Sequence, residues 1–334
     1  MLVLLMVVGL TDCFSQYKSE GDASIPLEHF YIKRKKAGPL RFLLSKLHFS
    51  LSTGYSITNF KHKLDGFGII QNDGLPPNIF SGDTSARYAN WVTDVAPAGP
   101  VSAGAFIIGP GAGDLGFQSK MITIPIKGSV HLEFDRYRIG GGYELGYSMV
   151  GEFKPISFGD NISGFTIDRK SFFMKHYFGM IGAMVYRYYE YALVVDANIG
   201  GYKLGNQFNT GVMQKSLYFN IGTTVERDFS EYFRVFVRPS YEIKGYKITI
   251  PEAGSQINHR LNAWTVNVGV TYRLPEIRRC FLKSCHAQIT HAHGNREYRS
   301  RVHPIYKKQN PHYGENYPEL IKYKGKNKKK LSPY

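Results

Sequence analysis

The chain has 334 residues, a formal net charge of +16, 24 tyrosines, 22 phenylalanines and 35 glycines. Beyond its first residues no stretch approaches the roughly 20 apolar residues of a spanning helix, which excludes a helical membrane bundle. Aromatic and glycine enrichment without such runs points instead to strands and turns.

The opening, MLVLLMVVGLTDCFSQ, is short and apolar. Residues 1–15 read as a secretory signal, with cleavage near Ser15 and Gln16. Asp12, just before Cys13, is a poor fit to a lipidation cysteine. Residues 16–46 follow as a basic arm with seven basic and three acidic residues.

From residue 47 the pattern has period two. In 47–58, Leu47, Phe49, Leu51, Tyr55 and Ile57 stand opposite His48 and a row of serines. In MITIPIKGSVHLEF (121–134), Ile122, Ile124, Ile126, Val130, Leu132 and Phe134 alternate with Thr123, Lys127, Ser129, His131 and Glu133. The alternation recurs at 137–149, 176–186, 193–202, 216–226, 233–244 and 264–273. In 176–186 the expected outward face is Phe178, Met180, Met184 and Tyr186, although Ile181 and Val185 blur it. Such long alternating segments fit strands with lipid on one side and a polar interior on the other.

Eight strands are enough for a closed barrel, and closure leaves no backbone edge unpaired in hydrocarbon. The connections FDRYR, RYYEY and RDFSEY are tight, whereas 60–120, 151–174, 204–214 and 247–258 are long. Outer-membrane barrels have short periplasmic turns and longer external loops. The expected fold is all-β: an eight-stranded antiparallel up-and-down transmembrane β-barrel over 47–274. Its 60–120 loop is extracellular, and extended N- and C-terminal arms lie in the periplasm. Phe134, Tyr137, Tyr186, Tyr188, Tyr189, Tyr191, Phe229, Tyr232, Phe233 and Tyr272 gather at the short-turn ends as an interfacial girdle.

The polar face puts Glu133, Arg138, Glu144, Asp196, Glu226, Arg234, Arg238 and Glu242 in the interior, with Lys127 and Lys244. Mixed signs at close range can satisfy one another there, giving a structural ion-pair plug; a narrow pore or a ligand cavity is the alternative. No G-x-S-x-G is present, and GPGAGDLG (109–116) lacks the Gly-Lys-Ser/Thr ending of a phosphate loop. The expectation is neither an enzyme nor a cofactor-binding protein.

The tail, 275–334, is low in Leu, Ile, Val and Phe, so no core of its own is expected. Residues 277–334 hold fourteen basic and three acidic residues. Tyrosines interleaved with prolines and lysines mark a docking segment, with Tyr306, Tyr313, Tyr317, Lys322, Lys324, Lys326, Lys328, Lys329 and Lys330 as the candidate contacts. Acidic protein surfaces, anionic lipid or peptidoglycan are suitable partners, and nucleic acid is not, in this compartment. Cys280 and Cys285 suggest a disulfide, within the chain or to a partner. A zinc set of Cys280, Cys285, His286, His291 and His293 is the weaker alternative, since its spacing matches no strong signature, and free thiols are the third.

The segments FYIKRKKAGPLRFLLSKLHFSLSTGY and NPHYGENYPELIKYKGKNKKKLSPY resemble those of small outer-membrane barrels of Bacteroidota. That resemblance implies an accessory subunit of an envelope machine, either the enlarged barrel-assembly (BAM) complex or the type 9 secretion system. A stand-alone narrow channel or cell-wall anchor is the competing expectation.

Overall fold

The computed structural model describes residues 38–250, 255–287, 290–293, 296–301 and 305–306. The expected signal peptide, most of the N-terminal arm, and Tyr313, Tyr317 and the six candidate lysines lie outside the described residues.

Eight antiparallel strands form the barrel: β1 (Leu47–Lys63), β2 (Gly116–Phe134), β3 (Tyr137–Val150), β4 (Ser171–Tyr188), β5 (Tyr191–Lys203), β6 (Tyr218–Asp228), β7 (Phe233–Ile243) and β8 (Ser255–Arg273). Each pairs with its sequence neighbour, and β1 pairs with β8 from His48↔Arg273 to Lys63↔Asn258. This seam leaves no open edge in the ring. Both chain ends therefore leave the barrel at the rim that carries the short turns.

The outward face forms an apolar belt. On β1 it runs from Phe49 to Ile57, and on the paired β8 from Tyr272 back to Trp264, with every alternate residue exposed or half-buried. Each stretch spans the roughly 9–11 residues that a tilted strand needs to cross hydrocarbon. The belt is the lipid-facing surface of a membrane-spanning barrel.

Beyond it the pattern inverts. Asn59, Lys61 and Lys63 on β1, and Gln256, Asn258 and Arg260 on β8, point outward, while Phe60, Ile257 and Leu261 turn inward and are fully buried. The strands thus continue past the membrane into water, where the polar face must be outside and the apolar face inside. This is why β1 and β8 are longer than the expected 47–58 and 264–273.

β4 corrects the expected assignment of faces. Phe178 points into the lumen and Met180 is half-buried, whereas Phe173, Tyr177 and Ile181 face out. The register of β4 on β5 shifts between Met184 and Tyr186. A bulge of this kind moves the following residues to the opposite face, so Tyr186 and Tyr188 are again exposed. The girdle forms largely as expected, but Tyr232 is buried. Tyr189 holds a left-handed φ of 49° and is 81% exposed. Backbone preference there favours Asn or Gly, and the ring's place at the lipid–water boundary favours an aromatic.

The first long connection, residues 64–115, is shorter than the expected 60–120 and is structured. It carries a five-stranded antiparallel sheet in the order Ala96–Pro97, Arg87–Ala89, Asn78–Phe80, Gly68–Gln71, Phe106–Ile108. The expected loop at 247–258 is also partly strand: Gly245–Ile250 pairs with the distal part of β8 and with Met213–Lys215.

Candidate functional site

The lumen is filled in two polar tiers and one apolar tier. Nearest the short-turn rim, Glu226 accepts both terminal nitrogens of Arg138 (2.5 and 2.6 Å) and one from Arg234 (2.9 Å). Glu133 meets Arg138 (2.5 Å), Arg234 (2.8 Å) and His48 Nδ1 (3.2 Å). Arg234 Nε donates to Asp228 (2.8 Å), which also accepts from Arg187 (2.8 Å). Opposite charges stacked at hydrogen-bond range offset the desolvation that isolates each of them.

In the next tier, Arg238 Nε donates to Asp196 (2.7 Å) and its Nη2 to Asn220 (2.6 Å), while Thr224 donates to the other Asp196 oxygen (2.7 Å). Gly222 makes room for this arginine: an added Cβ would sit 2.7 Å from its guanidinium carbon. Lys244 joins Glu242 (2.9 Å) to His176 (3.2 Å), which faces Glu144 (3.1 Å). Lys127 lies over the Phe178 ring, 4.4 Å from its centroid. Between the tiers lies a cavity of about 40 Å³ lined by Lys127, Arg138, Asp196 and Glu226, room for a water or two.

The apolar tier closes the long-loop end. Trp91, 1% exposed, descends from the 64–115 connection to within 4.6 Å of the His62 ring and 5.5 Å of Phe117. Tyr246 stacks on His259 at 4.4 Å and donates to the Val92 carbonyl (2.7 Å). The other loops are tied in: Ser163 N donates to Gln71 (3.1 Å), and Asn209 N to the Thr93 carbonyl (2.9 Å). Three connections therefore interlock as a lid.

All eight expected interior charges lie in these tiers. Two further members of the tiers carry weaker signals in the sequence: Asp228 lies in the tight RDFSEY connection although it shares the parity of Glu226, and His176 falls on the face of β4 that alternation marks as outward.

At the short-turn rim the tail departs from expectation. Few apolar side chains are buried in 278–301, yet its described residues form a small knuckle: Arg278–Arg279 runs parallel to Arg296–Arg299, which pairs antiparallel with His291–His293. Arg299 anchors it to the barrel, donating to Glu231 (2.8 Å) and lying over the Tyr232 ring at 4.5 Å, which explains why that tyrosine is buried. Cys280 and Cys285 are free thiols with no disulfide between them. Each sulfur faces a histidine instead: Cys280 Sγ lies 3.3 Å from His293 Nε2, and Cys285 Sγ 3.2 Å from His291 Nε2. Burial pushes the Cys280 thiol up from its ordinary value. His286 is exposed and stands apart from this cluster. Tyr306 is 65% exposed.

No protein-family model and no curated relative matches the chain. Among solved structures it is similar to the outer membrane protease OmpT from Escherichia coli, at 11% identity and a TM-score of 0.34, covering 69% of this chain and 97% of that one. It is also similar to the outer membrane protein OprG from Pseudomonas aeruginosa, at 11% identity and a TM-score of 0.36, covering 73% and 100%. The fold assignment rests on the strand pairing rather than on these likenesses.

Proposed function

We propose that this chain is a non-catalytic outer-membrane barrel acting as an accessory or scaffolding subunit of an envelope assembly machine. The observation that carries this reading is the filled lumen. Two tiers of paired charges and an aromatic lid occupy the lumen, so the belt, the rims and the arms are the surfaces offered for contacts. Both arms leave from the same rim, and by the short-turn rule of outer-membrane barrels that rim is periplasmic. The arms carry most of the positive charge of a chain whose central part is nearly balanced. They are suited to acidic surfaces of periplasmic proteins or of a large assembly barrel, with outer-membrane lipid around the belt. A type 9 secretion complex is an alternative host for the same architecture. Attachment to peptidoglycan is a second reading, favoured by the charge of the tail alone.

The deciding experiment is affinity purification of the full chain in mild detergent, followed by native mass measurement. Scaffolding predicts a stoichiometric complex with a large outer-membrane barrel, lost when residues 277–334 are deleted. A lone particle that binds peptidoglycan in a salt-sensitive way would replace this reading with wall attachment.

A further inference from the structure

The sulfurs of Cys280 and Cys285 and one ring nitrogen each of His291 and His293 all lie within 4.8 Å of one another. We propose that these four residues bind a structural Zn²⁺ and that the knuckle is a metal-stapled unit at the barrel rim.

The local fold explains how so short a segment gathers four donors. A turn, closed by Cys285 N donating to the Leu282 carbonyl (3.2 Å), brings the second cysteine back toward the first. Cys280 is held by its own N–H, which donates to the Arg299 carbonyl (2.9 Å). His291 and His293 are two apart on one strand, so alternation puts both rings on one face. Their centroids are 4.8 Å apart and their planes nearly perpendicular. Phe281 packs against Tyr298 at 5.3 Å and His293 at 6.1 Å, so an aromatic wall borders the cluster.

The spacing suits the ion. Zinc–sulfur and zinc–nitrogen bonds of about 2.3 and 2.05 Å in a tetrahedron put a sulfur and a nitrogen about 3.5 Å apart. The two facing pairs stand at 3.3 and 3.2 Å and need only open slightly, while the other donor pairs, all within 4.8 Å, draw in around the ion. Two thiolates and two neutral imidazoles are a zinc donor set, softer than calcium or magnesium would select. Two thiolates also neutralise the divalent charge, so the site adds no positive charge to a segment already rich in arginine. Four ligands close the coordination sphere, which marks a structural rather than a catalytic ion.

Another cluster of possible ligands among the described residues, His48, His131 and Glu133, carries no such inference. Its carboxylate is already engaged by Arg138 and Arg234.

The knuckle has few buried apolar side chains, so an ion that clamps both cysteines to the hairpin supplies what a core would otherwise provide.

The test uses the full chain, purified in mild detergent without chelator. Elemental analysis is expected to find about one zinc per chain, lost in Cys285→Ser and in His291→Ala but kept in His286→Ala. Barrel integrity is checked by heat-modifiable gel mobility, so loss of metal is separated from loss of fold. After stripping, Co²⁺ is expected to restore a tetrahedral spectrum with thiolate charge transfer. Three results would overturn the proposal: wild-type protein with neither zinc nor a cobalt spectrum; Cys280 and Cys285 peptides still joined after cleavage at Lys283, the mark of a disulfide; or zinc retained in both ligand variants.

Discussion

Glu226 is the hinge of the rim-side tier, because it accepts from Arg138 on β3 and Arg234 on β7 at once. Replacing it with glutamine leaves two buried guanidiniums short of a counter-charge. Removing one partner of a buried pair costs about 3–5 kcal/mol, so Glu226→Gln is expected to unfold at clearly lower urea concentration in a gel-shift or fluorescence titration. Unchanged unfolding would mean that water already screens the tier. At the other end, Trp91→Ala removes the side chain that fills the lid and is expected to cost about 3–5 kcal/mol. Its readout is local: protease cleavage within 64–115 should accelerate while the barrel band keeps its folded mobility. The interior charges were legible in the sequence because period two assigns every residue a side. Trp91 was not, because its position depends on the path of a 52-residue connection that follows no period.

Among the elements, alternation marks the strands, and their ends run past the expected limits where the pattern changes sign. Phe60 and Leu261 are apolar residues on what had been the polar face, so they looked like the end of a strand rather than its passage out of lipid. The knuckle was illegible for another reason: its strands are two to four residues long, too short for any periodicity to show. Its docking rests on Arg299, so Arg299→Ala is expected to expose the 275–301 segment to trypsin several-fold faster while leaving the barrel folded. Equal cleavage rates would show that the knuckle is held by other contacts. The helix α1 (Pro39–Lys46) offers a parallel case. None of its residues is buried, yet Leu40, Phe42 and Leu43 are apolar and exposed, and Arg41 Nε donates to the Pro275 carbonyl (3.0 Å) at the rim. Continuity with the apolar belt points to the headgroup boundary as its seat. In a Trp264→Phe background, which removes the lipid-facing tryptophan of the belt, a Leu43→Trp probe is expected to be quenched by brominated lipid in proteoliposomes. Quenching by aqueous iodide instead would place the helix in water.

For the whole molecule, the filled lumen makes a negative electrical result informative. Reconstituted in a planar bilayer, the protein is expected to give no stepwise conductance, and deletion of 64–115 should not create any, because the ion-pair tiers remain. Single-channel steps in the deletion variant would show that the lid, not the charges, seals the barrel. Conductance in the full-length protein would overturn the scaffolding role. Function was the least legible part of the sequence for a physical reason: periodicity reports what surrounds a strand, and here it reports lipid and a salt-bridged interior without naming a partner.

The seam between β1 and β8 has a consequence for time rather than for equilibrium. It joins His48 to Arg273, positions at the two ends of the barrel sequence, so it is a slow contact to make. Arg138 and Glu226 come from strands on different parts of the ring, and their pairing requires the ring to be nearly complete. Closure and charge pairing should therefore occur together and late, and undoing either requires undoing both. Contacts made that late count almost entirely toward the barrier to unfolding and little toward the rate of folding. Once inserted, the barrel should persist as a folded species through changes of detergent and denaturant that would, given long enough, favour the open chain.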